Sequence, residues 1–233
     1  MIRCTILAML LIASPALGEP IPKESEAAKI KRVWGELIDP EKKTKAKLVG
    51  NKLHLTIPPG SYVPNNGHSN FKQPPYLKNS VQGDFVATVK VIRHSAPQDS
   101  VLKGDSILPL KASGLLVECD ETNRMTFSLA SRAVKDENQF RFTVRSNAQF
   151  SVSSSMGELS ELKTESAVLR ISRTSDSFKG EYSFDEGKTW GYFISQKLNM
   201  QSEVVVGVYA EHIVNSETTA VFEDFKITKL EKK

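Results

Sequence analysis

The chain has few cysteines: only Cys4 and Cys119 occur among its 233 residues. Cys4 lies in an N-terminal segment that we expect to be removed, so no intramolecular disulfide can form in the mature chain. Folding must then depend on burial of apolar side chains. Cys119 alternates with Leu115 and Val117, and we expect a buried, inert thiol there rather than a nucleophile.

Long apolar runs and strong charge are also lacking. The formal net charge is only +4, and no run of five like charges occurs, so nucleic-acid binding has no support. One short apolar run, residues 6–13, follows Arg3 and precedes the small-residue site at residues 16–18. This pattern is typical of a secretory signal peptide, and about ten apolar residues are too few to span a bilayer. We predict cleavage after Gly18, a secreted or periplasmic product and no transmembrane segment after cleavage.

Catalytic and metal-binding motifs are scarce. The chain has no G-x-S-x-G elbow, no H-E-x-x-H pair and no Walker loop. Its four histidines are scattered, and we read them as surface or loop residues: His54, His68, His94 and His212. We expect no metal site and no cofactor.

What the sequence does contain is alternation with a period of two. Residues 19–33 are polar and charged and are read as a linker or arm before a single domain over residues 34–230. Within that domain, alternation bounded by Gly, Pro, Asn and Asp predicts strands at 46–49, 52–57, 83–93, 114–120, 125–130, 139–146, 167–173, 178–183, 190–195, 203–210 and 220–229. No long helical pattern interrupts them, which favours an antiparallel sandwich or barrel.

Alternation also assigns faces to the strands. Phe140 and Phe142 are predicted to face the core, opposite Arg141 and Arg145 on the polar side. On another predicted strand, Arg124, Thr126 and Ser128 form the polar side, opposite an apolar side of Met125, Phe127 and Leu129.

Residues 183–190 predict a tight hairpin. Ser183 and Asp185 supply short oxygen acceptors for backbone N–H groups, Gly187 permits a positive φ, and Trp190 anchors the next strand. The octapeptide resembles the Asp-box S-x-D-x-G-x-T-W, best known from sialidases, where it is a structural turn. Only one copy is present, which excludes a sialidase-type propeller.

The order of the segments resembles the concanavalin A-like lectin/glucanase superfamily. The closest likeness is to exported bacterial domains similar to the C-terminal domain of some β-xylosidases. The segments that carry the resemblance are residues 81–89, 113–117, 123–127, 178–190, 204–210 and 220–227. The resemblance implies an all-β antiparallel jelly-roll sandwich with one concave sheet, often with a polysaccharide on that face. Fold alone does not set the function.

Glycosidases of that superfamily carry an E-x-D-x-x-E pattern on one strand. Glu118 and Asp120 match its first two carboxylates, but Asn123 stands in place of the last one. A polar turn at residues 120–123 explains the same residues without catalysis.

Two regions are candidates for sugar binding. The loop 61–76 is stiffened by prolines and offers aromatic and amide groups: Tyr62, Asn66, His68, Phe71 and Tyr76. The polar strand face offers the guanidinium groups of Arg124, Arg141 and Arg145, which suit a carboxylate- or sulfate-bearing glycan. We expect a non-catalytic carbohydrate-binding-like module whose partner is a polysaccharide or glycan. A laminarinase/glucanase-type glycoside hydrolase with an atypical carboxylate pair and an envelope interaction scaffold are the alternatives.

Overall fold

A computed structural model of the chain describes residues 24–62, 72–95, 97, 110–120, 122–132, 138–146, 149–155 and 165–231. The predicted signal peptide and three predicted ligand-binding residues, Asn66, His68 and Phe71, lie outside these ranges. Within the described ranges, no helix is long and apolar enough to cross a membrane.

The described residues form one helix and fifteen strands. In chain order these are α1 (Glu26–Trp34), β1 (Glu36–Ile38), β2 (Lys45–Val49), β3 (Lys52–Ile57), β4 (Gly60–Tyr62), β5 (Tyr76–Gln82), β6 (Phe85–Ile92), β7 (Leu110–Asp120), β8 (Asn123–Arg132), β9 (Asn138–Ser146), β10 (Gln149–Ser155), β11 (Ser166–Thr174), β12 (Ser177–Ser183), β13 (Gly191–Lys197), β14 (Glu203–Val214) and β15 (Thr218–Lys229).

The strands form two antiparallel sheets. The first sheet has the order β1-β5-β14-β7-β8-β9-β10, with β4 also paired to β14, and the second has the order β13-β12-β11-β6-β15-β3-β2. One apolar core, to which both sheets contribute, lies between them. The protein is therefore an antiparallel jelly-roll β-sandwich. The alternation predicted an antiparallel sandwich or barrel, and the superfamily resemblance implied the jelly-roll.

The core is built from the apolar side of each strand, and β6 shows the rule by alternating buried and half-buried residues along its length. Phe127 of the first sheet packs against Phe140, Phe142 and Phe193, with ring centroids 5.8, 5.9 and 5.3 Å away. Phe193 belongs to β13, so these rings join the two sheets. Cys119, expected to be buried, is half-buried and packs against this core.

The segment before Trp34 differs from the predicted arm. Residues 26–34 form α1, which Ser25 caps through its side chain. Ile30 and Trp34 lie four residues apart, share one face of the helix and are 6% and 2% exposed in the core. The Trp34 ring stacks on Phe225 at 5.9 Å. The domain therefore includes α1, because two apolar residues at helical spacing outweigh the polar composition around them.

Two histidines expected at the surface are buried. The ring of His94 shares a 2.8 Å hydrogen bond with the Ser113 hydroxyl, and that of His212 bonds to the Pro58 carbonyl oxygen at 3.0 Å. Burial, assisted by the Lys111 charge, lowers the pKa of each ring to about 4, and at His212 the hydrogen bond to Pro58 offsets part of this effect. Both rings are therefore neutral at physiological pH.

We predict that the protein loses stability on acidification because of these two histidines. In the unfolded chain they bind protons near pH 6.5, whereas in the folded protein they do so only near pH 4, so the unfolded state binds more protons between these values. We expect the free energy of unfolding to fall as the pH drops through this window, by up to about 3 kcal/mol for each ring. Urea unfolding across the window measures it.

The matched variants are His94→Gln and His212→Gln, with His54→Gln on the outer side of β3 as the control. The first two should flatten the pH dependence and the control should leave it unchanged. Equal slopes for all three variants and the unsubstituted protein contradict the prediction.

Candidate functional site

Four central strands of the first sheet, β14, β7, β8 and β9, carry polar side chains on the face directed away from the core. The register aligns one row across these strands: Tyr209, Gly114, Ser128 and Arg141. Thr126 lies in the adjacent row. The opposite side of the same strands carries the core phenylalanines, because side chains alternate along a strand.

Most of these polar side chains are buried although they face away from the core. We call the following set the buried polar cluster: Thr126, Ser128, Gln139, Arg141, Tyr209 and Glu211. Ser128 and Tyr209 are 0% exposed, Thr126 and Gln139 1%, and Glu211 3%. Polar groups at such depth are normally hydrogen-bonded.

In this cluster many polar atoms lack a hydrogen-bond partner among the described residues. They are Thr126 Oγ1, Ser128 Oγ, both side-chain amide atoms of Gln139, Arg141 Nε and the Tyr209 hydroxyl. The Thr126 and Ser128 hydroxyls lie close enough to the Tyr209 hydroxyl to lower its pKa as hydrogen-bond partners. A small rotation therefore pairs these three hydroxyls with one another, and the Gln139 amide and Arg141 Nε are the atoms left without a partner among the described residues. Each unsatisfied buried group costs about 1–3 kcal/mol. These atoms expose almost no surface, so in this structure they are shielded from a ligand as well as from water.

One ion pair lies inside the cluster. Arg141 Nη1 is 2.6 Å from Glu211 Oε1. Burial raises the pKa of the Glu211 carboxyl, and the attraction of Arg141 offsets only part of that rise. Burial, assisted by the Glu211 charge, also raises the pKa of Tyr209. The Tyr209 hydroxyl therefore keeps its proton and can both donate and accept.

A second group, which we call the rim cluster, consists of Gln73, Tyr76, Glu118 and Arg124. Glu118 forms an ion pair with Arg124 and accepts a hydrogen bond from the Tyr76 hydroxyl at 3.3 Å. Arg124 Nη1 donates to Gln73 Oε1 at 3.0 Å, and its guanidinium carbon lies 5.7 Å from the Tyr76 ring centroid. All four side chains are half-buried, so this part of the face is accessible to solvent.

Asp120 belongs to the turn between β7 and β8. A bulge separates it from Glu118 in the β7–β8 register. Its Oδ1 accepts hydrogen bonds from Thr122 N, Thr122 Oγ1 and Asn123 N at 2.7, 2.6 and 2.9 Å. The Thr122 and Asn123 side chains and backbone lower the pKa of this carboxyl to about 2. Its hydrogen bonds are those of a turn residue.

Glu118, Glu203 and Glu211 are carboxylates on the polar face, and Glu203, two register positions from the β14 partner of Glu118, is the nearer of the other two to Glu118. Val205 of β14 pairs with Glu118 and Glu211 pairs with Ala112, so Glu118 and Glu211 are six residues apart in register, about 20 Å along the strands. Glycosidase carboxyl pairs are about 5–10 Å apart. No group of three or more His, Cys, Asp or Glu in the described ranges is placed to hold a metal ion.

The loop candidates divide into two groups. Tyr62 is 1% exposed, and its ring packs in the core 5.4 Å from that of His212. That ring is therefore not available for stacking on a ligand. Tyr76 lies in the rim cluster, on the same face as Arg124 and Arg141. Arg145 lies on this face too, opposite Arg124 in the β8–β9 register.

The Asp-box hairpin joins β12 and β13 of the second sheet. Ser183 Oγ accepts from Gly187 N at 2.8 Å, and Asp185 Oδ1 accepts from Thr189 N at 2.8 Å. Gly187 has a φ of 82°, and the Arg170 guanidinium lies 3.8 Å from the Trp190 ring centroid. The turn has the geometry that the octapeptide predicts, and it lies on the sheet opposite the polar face.

Comparison with protein-family models gives one match, "Protein of unknown function (DUF1349)", over residues 39–230. The chain belongs to the DUF1349 family. That match covers β2 to β15 and both clusters of this DUF1349 domain. No curated protein sequence matches the chain.

Solved structures share the fold. A functionally unknown protein from Saccharomyces cerevisiae superposes with a TM-score of 0.64 at 14% identity, over 84% of this chain and 97% of that one. Xylan β-1,4-xylosidase from Bacillus halodurans gives 0.55 at 12% identity, over 92% of this chain and 41% of that one. A legume lectin-like domain from Entamoeba histolytica gives 0.52 at 9% identity, over 94% and 100%. These likenesses show that the DUF1349 domain shares the fold of these structures.

The sequence reasoning missed Tyr209, Glu211 and Gln139 as site residues. Tyr209 and Glu211 lie in a strand that reads as almost continuously apolar from Val204 to Val214. The signal that was available is their period of two with Gly207, which places all three on one face.

Proposed function

We propose that the protein is an exported, non-catalytic carbohydrate-binding module whose ligand binds the outer face of the first sheet. The observation that carries this proposal is the half-buried rim cluster on that face, in which the Tyr76 ring lies beside the Arg124 guanidinium and the Gln73 amide. Sugar hydroxyls both donate and accept hydrogen bonds and so complement hydroxyl and amide side chains. Export is supported by the signal-like pattern of residues 1–18.

The rim cluster combines an aromatic ring with planar polar groups, which is the combination that a sugar site uses. Tyr76 provides a half-buried aromatic ring, and aromatic rings pack against the apolar side of a sugar. Gln73 and Arg124 provide planar polar groups beside it. Likeness in fold to a xylosidase and to a lectin-like domain agrees with a glycan ligand, although fold alone does not determine function.

Among the described residues, the glycoside hydrolase alternative depends on Glu118 and Glu203, which lie two register positions apart on neighbouring strands. Glu118 is held in an ion pair with Arg124, and Glu203 accepts a hydrogen bond from Ser80. Glu118 is about 20 Å from Glu211, and Asp120 is engaged in its turn. The envelope scaffold alternative calls for a large exposed apolar patch. The large apolar side chains that the described residues expose are Val33, Val49, Tyr192 and Leu230, on four different segments of the chain.

A glycan array on the purified protein tests the proposal, followed by titration calorimetry on each glycan that binds. We expect Tyr76→Ala to weaken binding about tenfold, which corresponds to about 1.4 kcal/mol. The matched control is Tyr192→Ala, which removes a 61% exposed tyrosine from the second sheet. Absence of any glycan ligand, or equal losses in both variants, contradicts binding at this face.

Assay of the same glycans for released reducing ends tests the non-catalytic part. We expect none to be released. Release that Glu118→Gln abolishes supports the glycosidase alternative instead.

A further inference from the structure

A line of basic side chains crosses the outer face of the second sheet. Its members come from six of the seven strands of that sheet, and the register places each on the side directed away from the core. We call the following set the basic band: Lys47, Lys52, Lys90, Arg170, Lys179 and Lys197. Because these residues lie far apart in the chain, the sequence contains no charge run, although the fold assembles one.

The basic band runs diagonally across the strands. From Lys197 on the edge strand β13 to Lys90 on β6, each member lies one strand over and two residues along from the one before, a step of about 8 Å. Beyond β15, Lys52 lies in the same row as Lys90, and both contact Glu223. Lys47 continues the diagonal on the edge strand β2. The whole line is about 40 Å long.

Carboxylates within the band neutralise only part of its charge. Glu181 contacts both Arg170, at 2.7 Å, and Lys179, at 2.6 Å, so one negative charge serves two positive ones. Glu223 is shared in the same way by two lysines of the band. The Lys179 side chain stays 46% exposed, and an ion pair so open to water is weak. Such a contact exchanges readily for one to a ligand.

The positive charge of this face exceeds its negative charge. The exposed lysines of the face that form no ion pair with a described residue are Lys45, Lys47, Lys197 and Lys226. With the four paired cations they make eight, against four carboxylates when Glu186 of the hairpin and Asp224 at the β15 bulge are counted with Glu181 and Glu223. The excess of four positive charges equals the formal net charge of +4 of the whole chain.

The charges follow a line rather than filling a plane. Outward positions of β6 and β11 beside the band carry no charge: Val86, Thr88, Ile92, Val168 and Ser172. The large apolar side chains exposed on this face, Val49 and Tyr192, lie on opposite edge strands, about 29 Å apart. A lipid surface suits cations spread over a plane around an apolar anchor. A line of cations suits a linear polyanion instead.

Lysine dominates the band, and its ammonium group binds a carboxylate as a compact point charge. The one arginine, Arg170, is already engaged, since its guanidinium lies 3.8 Å from the Trp190 ring centroid and pairs with Glu181. Sites for single-stranded nucleic acid interleave basic groups with aromatic rings on which bases stack. None of the band residues is aromatic, so the band favours a polymer that carries carboxylates on a chain without bases.

We propose that the basic band is a second interaction surface, which binds a linear acidic polysaccharide through the carboxylates along that chain. This surface lies on the sheet opposite the rim cluster and does not depend on the proposed function. It would hold the protein on an acidic polymer and leave the rim cluster open to its own ligand.

Calorimetry with polygalacturonate at low and high salt tests the proposal. We expect polygalacturonate to bind at low salt, and its affinity to fall at least tenfold at high salt, because salt screens exposed charges. Binding of a neutral glycan at the rim cluster should not depend on salt. Absence of polygalacturonate binding at low salt, or an affinity that salt leaves unchanged, overturns the proposal.

Variants at the two ends of the band test its position. Lys47→Gln and Lys197→Gln remove exposed charges that form no ion pair with a described residue, and each should weaken polygalacturonate about threefold. Because the two sites are far apart, the double variant should lose about tenfold. The matched control is Lys78→Gln, which removes a half-buried lysine from the outer face of the first sheet and should leave the affinity for polygalacturonate unchanged.

The remaining outcomes separate the two surfaces and the classes of polyanion. A loss in Lys78→Gln without a loss in the band variants assigns the acidic chain to the first sheet and overturns the proposal. Binding to phosphatidylglycerol vesicles or to duplex DNA, without binding to polygalacturonate, also overturns it. Tyr76→Ala should leave polygalacturonate binding unchanged while it weakens a neutral glycan. Failure of one surface is therefore visible without failure of the other.

Discussion

Arg141→Met is expected to lower the free energy of unfolding by about 3–5 kcal/mol at neutral pH, because it leaves the buried Glu211 carboxylate without its cation. Glu211 is 3% exposed and its carboxylate pairs with Arg141 at 2.6 Å. Methionine retains most of the length of the arginine side chain. The loss of stability therefore comes from the missing positive charge rather than from a cavity. Urea denaturation measures it.

The loss should shrink on acidification. Burial already raises the pKa of Glu211 in the presence of Arg141, and removing the cation raises it further. A raised carboxyl pKa means that the folded state binds more protons than the unfolded state above the ordinary Glu pKa. Stability then falls as pH rises through that window. The difference in the free energy of unfolding between the variant and the unsubstituted protein is taken at each pH. The buried histidines contribute equally to both proteins, so their opposite pH dependence cancels.

A double variant tests whether the loss of stability comes from the unpaired Glu211 charge. Arg141→Met with Glu211→Leu removes both charges, and we expect it to recover most of the lost stability, since apolar replacements of a buried pair are often neutral. A single-variant loss below about 1 kcal/mol at neutral pH, or a double variant as unstable as the single one, contradicts this account.

Alternation predicted most of the sandwich. β3 has the predicted bounds, and the other predicted strands are found with ends that differ by a few residues. The strands that it missed carry weak patterns. In β5, for example, only Leu77 and Val81 are buried among polar neighbours, so the period of two is hidden. The edge strand β1 has three residues, too few to show any period.

The polar face was predicted in part. Alternation placed Arg124, Arg141 and Arg145 opposite the core phenylalanines, and the structure confirms that assignment of faces. It gave no information on what those arginines contact. Arg141 and Glu211 are 70 residues apart in the chain, and only the order β14-β7-β8-β9 brings them together. Such pairing depends on strand order, which a local pattern does not encode.

Gly207→Ala is expected to lower the free energy of unfolding by at least about 3 kcal/mol. Gly207 lies at the centre of β14, between β5 and β7. A Cβ built there lies 1.6 Å from the Leu77 carbonyl oxygen and 2.7 Å from its carbon. Both atoms belong to the backbone of the neighbouring strand, so relief of the clash requires β5 and β14 to move apart.

Gly180→Ala is the matched control, because Gly180 also lies in a strand and its added Cβ meets only side chains, Phe142 at 3.2 Å and Ile194 at 3.4 Å. These rings and methyl groups can shift by a few tenths of an ångström, and alanine costs less backbone entropy than glycine. We expect that variant to stay within about 1 kcal/mol of the unsubstituted protein. Urea unfolding compares the two. Equal stability of the two variants refutes the close approach of β5 and β14 at Gly207.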